Sequence, residues 1–187
     1  MLNKSEKKKL IDLARSSIMG FDIDTSEISD KLKKPSGVFV TLTKNGLLRG
    51  CVGYIEPTLP MYKAAAECAY KAAYCDFRFP PVQKDEIKSL NIEISILSKP
   101  KRLVYNSSNK LLQKLNASLG VIVKKGPCQA TFLPQVWEDL PNKKVFLSNL
   151  CLKAGLAPNF WECGDLEVLT YAVDKFSENE ISPTRNF

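Results

Sequence analysis

At 187 residues, with 44% apolar and 25% charged side chains, the chain is long enough to bury a sizeable core and carries no signature of disorder. It contains no histidine, which excludes Ser-His-Asp and Cys-His nucleophilic machinery, the His-Glu-x-x-His zinc site and histidine general-base catalysis. Its net charge of +7 would suit a polyanion, but the lysines fall in short runs among acidic residues without interleaved aromatics, so nucleic-acid binding is the weakest of the functional readings.

No apolar run approaches the ~18 residues of a membrane span, and the lysine-rich beginning lacks the apolar segment of a signal peptide, so the expected compartment is the cytosol and no membrane contact is expected. Cys51, Cys68, Cys75, Cys128, Cys151 and Cys163 include no Cys-x-x-Cys pair. That absence removes the spacing of a zinc ribbon or a thioredoxin-type centre, leaving no metal site to expect and free thiols as the expected state.

Residues 5–19 place Leu10, Leu13, Ala14, Ser17 and Ile18 at helical spacing, with Gly20 positioned to end the helix. Asp22 to Pro35 is polar and aperiodic and reads as a connection. Gly37 to Thr43 is rich in β-branched and aromatic residues, and Asn45-Gly46 supplies the positive φ angles of a tight hairpin turn into a second strand from Leu47 to about Ile55. Pro57 and Pro60 break that strand. Met61 to Cys75 then reads as an alanine-rich helix able to lie close against a sheet. Asp76-Phe77-Arg78-Phe79-Pro80-Pro81 is a loop, because Pro80 forces Phe79 to be extended and neither proline donates a hydrogen bond. A helical turn near Lys84–Ser89 leads into the alternating strand Leu90–Leu97.

The second half repeats the first. Ser107 to Asn116 is a short amphipathic helix, Leu119–Lys124 and Cys128–Leu133 a hairpin about Lys125-Gly126-Pro127, and Pro134-Gln135-Val136-Trp137 an exit from the sheet. Asn142 caps a helix running to Ala154, with Gly155 as its stop, and Leu166–Val173 is a closing strand. Gly37-Val38 maps onto Gly120-Val121 and Cys68 onto Cys151 at one offset of 83 residues (120 − 37 and 151 − 68). The pattern predicts an α+β fold: two intimately packed lobes of mostly antiparallel strands with helices on one face, about 37–98 and 102–176, related by an approximate internal repeat. A groove between the lobes is the expected place for a site.

Leu48-Arg49-Gly50-Cys51-Val52-Gly53 is the stretch with the most chemistry. Strand alternation puts Arg49, Cys51 and Gly53 on one face, where a guanidinium would favour the thiolate, and the glycines leave room for another backbone or a ligand. The same residues also suit a plain structural role, with the cysteine a small buried hydrophobe and the glycines a bulge or close contact.

Four ordered segments, namely Leu48 to Gly53, Asp76 to Pro81, Phe132-Leu133-Pro134-Gln135-Val136-Trp137 and Leu152-Lys153-Ala154-Gly155-Leu156, resemble the AMME syndrome candidate gene 1 protein family, whose prokaryotic members are called AmmeMemoRadiSam system protein A. The resemblance runs from about Gly37 to Phe176. It departs at Phe77, where members usually carry proline, and at Leu119, where histidine is common. The resemblance implies the two-lobed α+β fold, and it implies company: a Memo-like protein of extradiol-dioxygenase fold and a radical S-adenosylmethionine protein. It brings no established reaction and no cofactor.

Two functional readings follow. In the first, the chain is a catalytic or small-molecule-binding component in which Cys51 is a nucleophile or ligand and Arg49 lowers its pKa or holds an anion. Arg78, Gly50, Gly53, Asp76, Gln135 and Lys153 then line the substrate site, arginine being suited to planar carboxylates and phosphates. In the second, it is an adaptor that docks a protein partner without chemistry of its own. Cys68 and Cys151 are expected to be buried packing residues in either case.

Overall fold

The computed structural model describes residues 2–22, 24–163 and 165–181. The first helix, α1 (Lys4–Met19), opens on a capping box: the Asn3 side chain accepts from the Glu6 amide while the Glu6 carboxylate accepts from the Asn3 amide. It stops where Gly20 takes a left-handed φ of 74°. Strands β1 (Gly37–Lys44) and β2 (Leu47–Tyr54) turn through Asn45 and Gly46, both at positive φ. Helix α2 (Met61–Tyr74) follows, then a 3-10 turn at Ile87–Ser89 and strand β3 (Leu90–Leu97).

The chain continues through β4 (Lys101–Arg102), α3 (Ser108–Lys114), β5 (Gly120–Lys125) and β6 (Cys128–Phe132). Next come α4 (Val136–Asp139), α5 (Lys143–Lys153), a 3-10 turn at Phe160–Cys163, β7 (Glu167–Tyr171), β8 (Val173–Ser177) and α6 (Glu178–Ile181). The strands form two antiparallel sheets with orders β2-β1-β3-β8 and β4-β7-β5-β6, which is the α+β class that the hairpin and helix pattern predicts.

Two compact units result, one of Met1–Leu97 with the segment that begins at Asp174, the other Ser98–Val173. In the first, Val38, Val40 and Leu42 of β1 and Ile92 and Ile94 of β3 are fully buried on the sheet face that α1 and α2 cover. The alanines of α2 let its backbone approach so closely that a Cβ at Gly50 would stand 2.1 Å from the Ala72 carbonyl oxygen. In the second unit, Trp137 stacks on Phe146 with ring centroids 3.5 Å apart, and Val121, Val123, Leu147 and Leu150 pack around them. Cys68 and Cys151 are fully buried, as expected, and burial pushes the Cys68 thiol up to about 12.

The expected closing strand 166–173 is corrected. It ends at Tyr171, and β8, whose Asp-Lys pair interrupts the apolar pattern, joins the first sheet instead. Where the chain enters and leaves the second unit, Ser98 and Ala172 hold each other: the Ser98 amide donates to the Ala172 carbonyl at 2.9 Å and the Ala172 amide donates to Ser98 Oγ at 3.0 Å. Among the described residues, no helix is long and apolar enough to cross a membrane.

Candidate functional site

The hairpin turn would by itself pair Lys44 with Leu47, Thr43 with Leu48 and Leu42 with Arg49. The observed register jumps after Thr43, so that Leu42 faces Gly50 and Thr41 faces Cys51, and Arg49 becomes the extra residue of a β-bulge. The bulge overturns the shared face predicted for Arg49 and Cys51. Arg49 reaches the same Glu86 carboxylate as Lys44, whose side chain stands on the Val40–Leu42 side. Cys51 stands on the opposite side, its Sγ 3.2 Å from Thr41 Oγ1.

Arg49 and Glu86 form a forked pair, Nε to Oε1 at 3.1 Å and Nη2 to Oε2 at 3.0 Å, with both side chains largely buried. The Gln83 amide also donates to Glu86, and Lys44 Nζ lies 3.1 Å from Oε1. These donors, Arg49 first, hold the Glu86 carboxyl down at about 2. Arg49 Nη1 is buried and has no hydrogen-bond partner among the described residues.

Asp76 and Arg78 act on the backbone of Cys51. Strand β2 is an edge of its sheet, and the Cys51 peptide groups point away from β1. The Cys51 amide donates to Asp76 Oδ2 at 2.8 Å, and Arg78 Nη2 donates to the Cys51 carbonyl at 3.1 Å. Arg78 also grips Asp76 twice, from Nε at 2.9 Å and from Nη2 at 2.7 Å. The pair therefore does for Cys51 what a neighbouring strand would do, and it blocks the edge of β2 at that residue. The Arg78 guanidinium, followed by the Cys51 and Arg78 amides, holds the Asp76 carboxyl well below the usual carboxylate range. Between these two tethered residues, Phe77 projects with 96% of its surface exposed.

The glycines meet protein. Gly50 lies under the Ala72 carbonyl, and a Cβ at Gly53 would fall 2.3 Å from the Phe39 ring. Gln135 and Lys153 belong to the second unit, apart in sequence from the other nominated residues. Gln135 precedes α4 without a side-chain capping bond, whereas Lys153 Nζ donates to the Thr131 carbonyl at 3.0 Å and lies over the Phe132 ring. Among the described residues, no three His, Cys, Asp or Glu side chains gather in a way that could hold a metal ion.

Sequence reasoning missed Thr41 and Glu86. Ideal hairpin arithmetic sets Thr41 against Gly50, so only the bulge, for which Gly50 was the one available hint, brings the hydroxyl to the thiol. Glu86 follows the proline loop, and nothing in its spacing marks it as the partner of Arg49.

Similarity to known proteins agrees with the four motifs. The AMMECR1 family profile matches residues 11–176. A protein of Methanosarcina mazei is 38% identical over 192 residues, covering 96% of this chain and 95% of its own length. One from Methanopyrus kandleri is 36% identical over 193 residues, with 96% and 91% covered. The crystal structure of an uncharacterized protein from Pyrococcus horikoshii shares the fold at a TM-score of 0.87 and 31% identity, covering 96% of this chain and 94% of that chain. The chain belongs to the AMMECR1 family.

Proposed function

We propose that the protein is a docking component, a scaffold that presents the Asp76–Arg78 turn to a protein partner. The observation that carries this reading is Phe77, almost wholly exposed yet flanked on both sides by residues fastened to Cys51. An exposed aromatic side chain is unremarkable alone. One on a pre-fastened turn, beside a half-exposed arginine, combines two residue types that dominate binding energy with a backbone that loses little freedom on association. The arginines first considered as ligand hooks have internal partners, Glu86 for Arg49 and Asp76 for Arg78, which favours a recognition surface over an anion pocket at this place. The family resemblance supplies the partner to try first, a Memo-like protein, with a radical S-adenosylmethionine protein as the second. The same reading sets the protein in the cytosol and treats the hairpin-helix-strand order of each unit as an internal repeat.

The test is titration calorimetry with the Memo-like protein of the same genome. Phe77→Ser should weaken binding by about ten-fold or more while leaving thermal unfolding unchanged, because the side chain packs on nothing. Equal affinity for the two proteins would remove the proposal.

A second reading keeps a specific observation: Cys51 is only partly buried, and a hydroxyl stands 3.2 Å from its sulfur. Here Cys51 is the nucleophile and the neighbouring cation is Arg78, with Arg49 setting the bulge that aims the strand. Asp76, Gly50, Gly53, Gln135 and Lys153 would then shape the site of an unidentified small molecule. Brief iodoacetamide pulses followed by peptide mapping decide it, since a Cys51 that stays unlabelled until the protein unfolds cannot serve as a nucleophile.

A further inference from the structure

The end of α1 and the outer side of α2 enclose an apolar cleft of about 440 Å³ that neither reading uses and that lies wholly within the first unit. Buried Ile18 forms its base with Ile87, and Met19, Tyr70 and Tyr74 form its walls. The tyrosine rings stand 5.0 Å apart at 50°, and the Tyr74 hydroxyl donates to the Ile18 carbonyl at 2.7 Å, which fixes one wall to the floor. Arg15 fixes the other side by donating to the carbonyls of Ile87 at 2.6 Å and Leu90 at 2.7 Å. Directly beside this hole stands a knob. Gly20 ends α1 in a left-handed turn, the Phe21 amide donates to the Ser16 carbonyl at 3.0 Å, and the Phe21 side chain, two positions beyond the Met19 wall, is left 62% exposed.

A knob and a hole on one patch are what a two-fold interface requires, because the same surface must supply both halves of every contact. The lining suits the knob: two aromatic rings and a thioether favour a flat apolar side chain such as that of Phe21. The charges agree as well. Asp22 follows Phe21, Lys84 lines the rim of the cleft, both are exposed, and neither has a hydrogen bond or ion pair among the described residues. The pairing needs no second lysine, since Lys88 has an interaction of its own within the chain. We propose that the cleft receives Phe21 of a second copy of this chain, in a two-fold dimer in which Asp22 of each copy faces Lys84 of the other. Such a dimer covers Met19, Phe21 and Tyr70, which the single chain leaves about half exposed or more. The interface shares no residue with the Phe77 turn, so either proposal can fail alone.

Sedimentation equilibrium of the full chain over a range of concentrations tests it. A reversible monomer–dimer equilibrium in the micromolar range is expected, weak because the patch is small. A two-fold interface uses each contact twice, so Phe21→Ser should raise the dissociation constant about a hundred-fold, about ten-fold for each knob. Asp22→Lys and Lys84→Glu should each weaken the dimer about ten-fold by setting like charges against each other, and the double variant Asp22→Lys with Lys84→Glu should return it to within about three-fold of the wild-type protein. Phe77→Ser should leave it unchanged. Each altered side chain is exposed, and far-UV circular dichroism checks that the fold is kept. A chain that stays monomeric up to about 100 μM, a dimer that Phe21→Ser leaves intact, or a charge swap that restores nothing overturns the proposal. Saturable uptake of uncharged N-phenyl-1-naphthylamine by a chain that stays monomeric would give the cleft to a small aromatic molecule and overturns it too.

Discussion

Replacing Glu86 by glutamine should cost about 3 kcal/mol of stability near neutral pH. The Arg49 fork, the Gln83 amide and Lys44 together lower the Glu86 carboxyl from its ordinary 4.5 to about 2. At about 1.4 kcal/mol per pH unit, that separation corresponds to about 3 kcal/mol favouring the folded chain. Only 14% of the Glu86 side chain and 13% of the Arg49 side chain are exposed, so solvent screening removes little of it. The sign follows from a folded value below the unfolded one: the stabilisation is complete above about 4.5 and is lost as the pH falls through about 2. Near pH 3 the difference between the wild-type protein and Glu86→Gln should have shrunk to about 1.5 kcal/mol. Trp137 and Trp161 both lie in the second unit, so tryptophan fluorescence would report the wrong part. Urea unfolding followed by amide exchange of β1–β3 is the suitable assay. A difference below about 1 kcal/mol at neutral pH, or one that acid leaves unchanged, would refute the view that Arg49 is held by a buried ion pair.

Gly50→Ala should cost about 2–3 kcal/mol, since the new methyl would meet the Ala72 carbonyl at 2.1 Å; Gly20→Ala, where nothing lies within 4 Å and only the positive φ opposes it, should cost about 1 kcal/mol by the same denaturation assay. Native alkylation should label exposed Cys75 and Cys163 first and leave Cys68 and Cys151 untouched until unfolding; early labelling of either buried thiol in the peptide map would contradict the packing described. Binding to labelled DNA or RNA at physiological salt should be weak and indifferent to sequence, because scattered lysines neutralise few phosphates in any one register; submicromolar, sequence-dependent binding would oppose that reading.

The sequence made the regular elements readable wherever one residue or one period governs the backbone. Asn45-Gly46 dictates its turn through two positive φ angles, Gly20 and Gly155 stop their helices in the left-handed region, and the alternation of Leu90–Leu97 reports a face buried under helices. What could not be read depended on long-range pairing. Alternation along β2 holds only while the register is regular, and one inserted residue at Arg49 moves its guanidinium across the sheet. The partner it finds, Glu86, is 37 residues away on an irregular segment. Strand β8 was hidden for a related reason: its charged residues are tolerated at a sheet edge, where Asp174 pairs with Lys7 of α1, a contact that no local pattern announces.

The blocking of β2 at Cys51 bears on what its neighbouring motif can do. An edge strand with free peptide groups invites another strand, and a protein that docks partners through side chains needs that route blocked. At Cys51 the block is made by the Asp76–Arg78 pair, which satisfies both peptide groups with charge-assisted bonds. Each role limits the other: a loop that must hold a strand edge cannot swing to meet a ligand, and a residue between two fixed neighbours is presented in one orientation. Phe77 is that residue. If Asp76→Asn, which weakens the clamp and keeps its shape, lowers partner affinity as Phe77→Ser does while Phe77→Ser alone leaves amide protection at Cys51 intact, clamp and anchor act in series. If only Asp76→Asn lowers it, binding uses the strand and not the aromatic side chain.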